Sequence, residues 1–320
     1  MRGLMTAALS GAMALFANPS GAADNTMTIA VFTKNTTNPA YSAFRLAADQ
    51  IGQATGARIV HFVPMQPDNV DEQKAMVEQV LKDRPDAVVF IPVDDVAMIE
   101  PLRKLNDAKI PVVLAANPLP GNFVTFVGAD DFAIGYRQAR YLFDHLAGKG
   151  RIVILEGVAG APTNRERLRG YKQALTEAPG IAVLASASGS YQQADGKRVM
   201  AGFLADHSEI DAVLSANDSM ALGALEALKE ANRTAVVIGI NGILPAVKRI
   251  ESGEMLATVD FNMFKIGCTA TRAAVRYLRR EPLPEKVMLP AEVIDKSNYK
   301  AWLVPVERRP CPEWDEVVKP

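Results

Sequence analysis

The chain has little of the chemistry that metal-binding and catalytic proteins concentrate. Only two of its 320 residues are cysteine and three are histidine. Cys268 and Cys311 show no zinc-ligand spacing, and His61, His145 and His207 stand far apart in the sequence, so no metal centre is expected. Neither sign of charge is in excess: 35 Lys and Arg face 36 Asp and Glu, for a net charge of -1, and nothing draws the chain to nucleic acid or to an anionic membrane. No apolar run is long enough for a membrane span, so direct membrane insertion is not expected. No Ser/Gly-rich linker or low-complexity tract divides the sequence. Gly157-Val158-Ala159-Gly160 follows a strand pattern, but it lacks the Gly-x-Gly-x-x-Gly order and a Walker lysine. A Gly-x-Ser-x-Gly elbow is also missing, so no cofactor, no catalytic residue and no enzymatic activity are expected.

What is present reads as an exported, compact chain. Arg2 precedes a small, apolar stretch over residues 4–17, and Gly21-Ala22-Ala23 offers a small-residue cleavage site. Ser10, Asn18, Pro19 and Ser20 interrupt the run well short of a span. Residues 1–23 are therefore expected to be a signal peptide cleaved near Ala23, with the mature chain in the periplasm. No cysteine at the cleavage region suggests a lipid anchor. The favoured reading of Cys268 and Cys311 is one buried and one free thiol, with a disulfide as the alternative in an oxidising compartment.

At this length one hydrophobic core usually gives way to two. Short apolar runs alternate with longer helical patterns, the rhythm of parallel sheets covered by helices. Strands are expected near 28–33, 58–63, 87–91, 111–115 and 123–127, with helices near 41–54, 70–82 and 96–108. The rhythm then restarts, with helices near 132–146, 164–177 and 193–205 and strands near 151–155 and 181–186. Asp86-Ala87-Val88 and Asp211-Ala212-Val213 each open a buried strand, as two related halves would. A helix near 266–279 and a strand-like run over 287–294 follow. The expected architecture is α/β: two similar doubly wound parallel-sheet lobes joined by a multi-crossing hinge. Residues 27–129 plus 262–290 form the N-terminal lobe in this reading, and 130–261 plus 291–320 the C-terminal lobe and tail.

Several stretches together resemble the type I periplasmic binding proteins of sugar transport, the ribose- and arabinose-binding kind. Ile29-Ala30-Val31-Phe32 leading to Asn38-Pro39 is similar to the family's first strand and ligand loop. Asn164-Arg165-Glu166-Arg167 before Gly170-Tyr171 is similar to its second-lobe Arg-Glu-Arg motif. Asn217-Asp218-Ser219-Met220-Ala221-Leu222-Gly223-Ala224 resembles its most specific signature, and Gly239-Ile240-Asn241-Gly242 the next strand end. The resemblance covers nearly all of the mature chain. It implies a solute-binding protein of an ABC transporter that takes a monosaccharide or polyol, delivers it to a permease, and acts as a monomer. A sugar-acid binder, or a subunit presenting its ligand to a sensor or chemoreceptor, is the alternative.

Ligands of open parallel sheets settle beyond the carboxyl ends of the strands. Lys34, Asn38, Asn117, Arg165, Asn217 and Asn241 all follow strand patterns and are expected to line one cleft, where amides and guanidinium forks pair with hydroxyls. Tyr41, Tyr191 and Phe261 stand where the family supplies rings for the apolar face of a sugar. Each has a plainer alternative where its position allows one. Lys34 reads equally as a solvated loop lysine, Arg165 as a solvent-facing charge at a helix start, and Tyr41 as a core residue. Asn217 reads also as a helix cap, and Asn241 as a left-handed turn residue. Four positions depart from the family: Ala116 and Asn117 replace a common Asp-Arg pair, Ala40 a frequent aromatic ring, and Asn241 a frequent Asp. With fewer carboxylates beside Lys34 and Arg165, a sugar acid stands next to neutral sugars as a ligand class.

Overall fold

The computed structural model describes residues 26–318, so the export segment and its cleavage site lie outside the described residues. The first run of elements is β1 (Thr28–Phe32), α1 (Pro39–Thr55), β2 (Arg58–Phe62), α2 (Val70–Asp83), β3 (Ala87–Phe90), α3 (Ile99–Asp107), β4 (Val112–Ala115) and β5 (Thr125–Gly128). The second is α4 (Asp131–His145), β6 (Lys149–Glu156), α5 (Pro162–Thr176), β7 (Gly180–Ser188), α6 (Gln193–Asp206), β8 (Ala212–Ser215), α7 (Asp218–Glu230), β9 (Val236–Ile240), α8 (Leu244–Ser252) and β10 (Ala257–Asp260). Then come α9 (Met263–Leu278), β11 (Lys286–Met288), β12 (Glu292–Asp295) and α10 (Trp314–Val317). No described helix is long and apolar enough to cross a membrane.

Two six-stranded sheets result, in the orders β2-β1-β3-β4-β5-β11 and β7-β6-β8-β9-β10-β12. Every neighbouring pair is parallel except β10 with β12. Helices on both faces explain why β3, β4 and β8 are buried at every position, the pattern of a strand with no solvent side. The repeated Asp-Ala-Val has a shared physical cause. Asp86 Oδ2 accepts from the Thr28 N–H at 2.7 Å, and Asp211 Oδ2 from the Arg151 N–H at 2.7 Å. In each lobe the aspartate before the central strand thus pins the start of its neighbour.

Tight helix pairs set the position of the elements that carry the site. At the α4–α5 crossing a Cβ on Gly135 would lie 2.4 Å from the Arg167 carbonyl oxygen, and one on Gly170 2.4 Å from that of Phe132. Only glycine lets the two backbones come this close, and the approach brings the inner face of α5 against α4.

The chain passes between sheets after β5, after β10 and between β11 and β12. The run over 287–294, which reads as one strand, is therefore two. β11 adds to the edge of the first sheet and β12 to the edge of the second, with Pro290 in the break. A proline cannot donate to a ladder, so the chain leaves one sheet there and enters the other.

The tail corrects a second expectation. Residues up to Leu303 stay with the second lobe, where the 3₁₀ turn Tyr299–Leu303 packs on α8. Beyond that the chain returns to the first lobe: Gln50 Nε2 donates to the Arg309 carbonyl at 3.4 Å, and Arg276 stands 4.8 Å over the Trp314 ring. Cys268 in α9 and Cys311 in the tail form a disulfide, with their Cα atoms 5.6 Å apart, in place of one buried and one free thiol. The returning chain is held on both sides of the bond, by Gln50 of α1 at Arg309 and by Arg272 of α9, which pairs with Glu313 at 2.7 Å.

Candidate functional site

Between the carboxyl ends of the two sheets lies a closed chamber of about 30 Å³. Its wall is built from the loops that follow the strands, the place where an open α/β sheet presents its side chains. Asn38, Tyr41, Asn117, Tyr191, Asn217, Asn241 and Phe261 all line it. Asn35, Ala40, Asp68, Ala116, Thr163, Arg167 and Met263 complete it, none of which was expected there. Lys34 and Arg165 do not form part of the wall.

Both exceptions have a geometric reason. Lys34 is buried behind the chamber, its Nζ 3.1 Å from Asp68 Oδ1, so that Asp68 is the member of the pair facing the chamber. Arg165 sits on the outer face of α5 at the rim, half exposed, where its guanidinium forms an ion pair with Asp95 of the opposite lobe. The inner face of α5 is Asn164, Arg167, Gly170, Tyr171 and Ala174. That is helical spacing, and it selects Arg167, two residues from the expected arginine. The periodicity of the helix was the available signal.

Arg167 is the one buried cation in the chamber wall. Its Nε donates to Asp131 Oδ1 at 2.8 Å and its Nη1 to the Ala216 carbonyl at 2.8 Å. Nη2 is left as the guanidinium nitrogen without a protein acceptor among the described residues. The Arg167 Cζ lies 5.2 Å over the centre of the Phe261 ring. Burial pulls the guanidinium pKa down, but Asp131, Tyr191 and Tyr171 together more than offset this and hold the group charged. Burial raises the Asp131 carboxyl above its usual range against the pull of Arg167.

The amides are fixed by local structure and keep some capacity unspent. Asn38 caps α1, its Oδ1 accepting from the Ala40 N–H at 3.0 Å. Asn217 caps α7 through Oδ1 to the Met220 N–H at 2.9 Å, while its Nδ2 donates to the Tyr191 carbonyl at 2.9 Å. An amide nitrogen has two hydrogens, so one of them remains, and capping does not exclude a second partner. Asn117 Nδ2 donates to the Pro92 carbonyl at 3.0 Å. Asn241 has φ of 131°, and its Nδ2 reaches Asn38 Oδ1 across the cleft at 3.4 Å. Asn35 Nδ2 donates to Asp68 Oδ2 at 2.9 Å, so a carboxylate does enter the wall, from the loop after β2 instead of the one after β4.

The rings close the remaining sides. Tyr191 has φ of 60°, in the left-handed region, and its hydroxyl pairs with Thr163 Oγ1 at 3.0 Å. A Cβ on Gly157 would lie 2.1 Å from Tyr191 Cζ, so the glycine of the unmatched nucleotide-like loop makes room for this ring. Burial raises the Tyr41 and Tyr191 phenols, which stay neutral donors at physiological pH. At the rim Thr37 Oγ1 donates to Gln192 Oε1 at 2.9 Å, a further contact between the lobes. The lobes are closed on each other.

Residues 29–282 match the family described as periplasmic binding protein domain. The chain belongs to that family. The ribose import binding protein of Haemophilus influenzae is 29% identical over 285 residues, covering 89% of this chain and 96% of that one. Among solved structures, an ABC transporter solute-binding protein from Actinobacillus succinogenes with bound D-allose superposes with a TM-score of 0.81 at 26% identity, covering 86% of this chain and 99% of that one. One from Bacillus halodurans with bound myo-inositol gives 0.80 at 26% identity, covering 87% and 97%. This binding protein thus shares its two-lobed, parallel-sheet architecture with type I periplasmic binding proteins.

Proposed function

We propose that the protein is the extracytoplasmic solute-binding component of an ABC transporter, which encloses a neutral sugar or polyol between its lobes and delivers it to a permease. The observation that carries this reading is the chamber wall itself, in which amides, one guanidinium and three aromatic rings from both lobes converge on a single enclosed point. Amides and guanidinium forks satisfy hydroxyls that both donate and accept, while rings cover the apolar C–H face. Relatives named for ribose import, and solved relatives holding D-allose and myo-inositol, are consistent with it.

Neutral ligands are favoured over sugar acids because the cations of the region are already paired. Lys34 faces Asp68, Arg165 faces Asp95 and Arg167 faces Asp131. A carboxylate entering the chamber would meet Asp68 with no unpaired cation to offset the repulsion. Binding would proceed through an opened state, since Thr37 with Gln192, Asn38 with Asn241 and Arg165 with Asp95 already join the lobes around the chamber. The rim bonds Thr37–Gln192 and Arg165–Asp95 re-form once the ligand is inside, and the permease would read that closed surface. In this reading the protein acts as a monomer in the periplasm, with no catalytic step.

Thermal-shift screening followed by calorimetry tests it, using pentoses, hexoses, cyclitols and the matching uronic acids. At least one neutral member is expected to raise Tm and bind one-to-one, because a ligand that binds only the folded state stabilises it by mass action. Binding of the uronic acid in preference to its neutral parent would overturn the neutral assignment.

A further inference from the structure

A second, larger cavity adjoins the chamber. It measures about 370 Å³, against about 30 Å³ for the chamber, and shares Ala40, Asn241 and Met263 with it as common wall. That partition is thin: a methyl group, a flexible thioether, and an amide whose bond to Asn38 is long at 3.4 Å. The outer cavity runs between α1 and the loop after β9 and is roofed by the returning tail from Val304 to Arg309. Trp302 Nε1, bonded to Asp260 Oδ2 at 2.7 Å, holds one end of the roof, and the Cys268–Cys311 disulfide holds the other.

Of its three charged side chains, Asp260 and Arg309 are already engaged. Asp260 accepts from Trp302 and from the Asn262 N–H at 2.6 Å, and Arg309 donates to the carbonyls of Val304 at 3.1 Å and Trp302 at 2.9 Å. Glu307 is exposed to solvent. What remains as wall is mainly apolar, with Leu46, Leu244, Phe264 and Val306 the larger contributors beside the smaller polar Ser42 and Asn262. A second sugar ring would find few free partners for its hydroxyls there, whereas an apolar group would lose only water.

Resting on the sugar-binding reading above, we infer that the physiological ligand class is a glycoside: a sugar ring held in the inner chamber, carrying an apolar substituent that passes Ala40 and Met263 into the outer cavity. The tail is then part of the binding site and not only a surface wrap. Ala40 sets the specificity, because any larger side chain at that point would seal the partition.

Calorimetry with the free sugar, methyl glycoside and phenyl glycoside of ribose, allose, glucose and galactose tests this on the wild-type protein and on Leu46→Trp and Val306→Trp, which fill the outer cavity without touching the chamber. For the sugar that binds, the phenyl glycoside is expected to bind at least about ten-fold tighter than the methyl glycoside. Both tryptophan variants should bring that ratio to about one and leave the methyl glycoside affinity unchanged. A phenyl glycoside no tighter than the methyl one, or a ratio that persists in variants with native circular dichroism, overturns the inference while leaving sugar binding intact. Failure of every sugar and glycoside in the panel overturns both.

Discussion

Arg165 and Arg167 lie two residues apart on α5, which turns them about 200° from each other around the helix. One reaches Asp95 across the rim; the other is buried against Asp131 with Nη2 available to the chamber. Arg167→Lys keeps the charge and loses the fork, so calorimetry should show affinity for the neutral ligand falling about ten-fold or more with little change in Tm. Arg165→Ala removes a half-exposed ion pair and should change affinity by less than about three-fold. The motif pointed to an arginine in this stretch, and only the spacing of the buried face of α5 says which one. Lys34 and Asp68 were not separable in this way, because they come from different loops and meet only in the folded chain. Gly157→Ala should push the Tyr191 ring off its seat and weaken binding, while far-UV circular dichroism stays native. Asp218, buried beneath the cleft with Thr258 Oγ1 at 2.6 Å and the Ile243 N–H at 3.0 Å, is pushed up to about 7, chiefly by burial. Its folded pKa lies above its unfolded one of 3.8, so the folded state holds the extra proton between them. Its stabilising effect is complete below pH 3.8 and fades as pH rises through about 7. Buried Asp131 and Asp260 are raised in the same direction. Tm should therefore fall between pH 5 and pH 8, and Asp218→Asn should flatten the slope; an unchanged slope in a folded variant would contradict this assignment.

Among the elements, those framed by caps and turn residues were legible. Asn38-Pro39 opens α1 and Gly56, with φ of 75°, ends it, so the helix could be bounded closely from its flanks. The central strands were visible as uninterrupted apolar runs between them. β11 and β12 were not, because residues 287–294 read as one mostly apolar, strand-like run and the decisive mark is a single Pro290 in the middle. The tail was illegible for another reason: a polar, proline-rich segment says little about which distant surface it will meet. Its disulfide to α9 spans 43 residues of chain and restrains the unfolded state accordingly. Cys311→Ser should lower the urea-unfolding free energy by about 2–4 kcal/mol. A reducing agent should do the same to the wild-type protein and nothing to the variant. Equal stability of the two under oxidising conditions would show that the tail is held by its packing alone.

For the whole molecule, the doubled rhythm of strand and helix was enough to read two related lobes, and the Asp86 and Asp211 bonds explain why part of that duplication persists in the residues themselves. The relation of the lobes to each other was not in the rhythm. It depends on pairs that only closure brings together: Thr37 with Gln192, Asn38 with Asn241, Arg165 with Asp95. Each is weak, so the closed arrangement needs a ligand bridging the two sides to dominate in solution. The central claim is that one solute held by both lobes shifts the protein from open to closed. Small-angle X-ray scattering with and without a saturating, calorimetrically verified ligand measures it most directly: the radius of gyration should decrease on binding, and an unchanged profile at full occupancy would contradict the account.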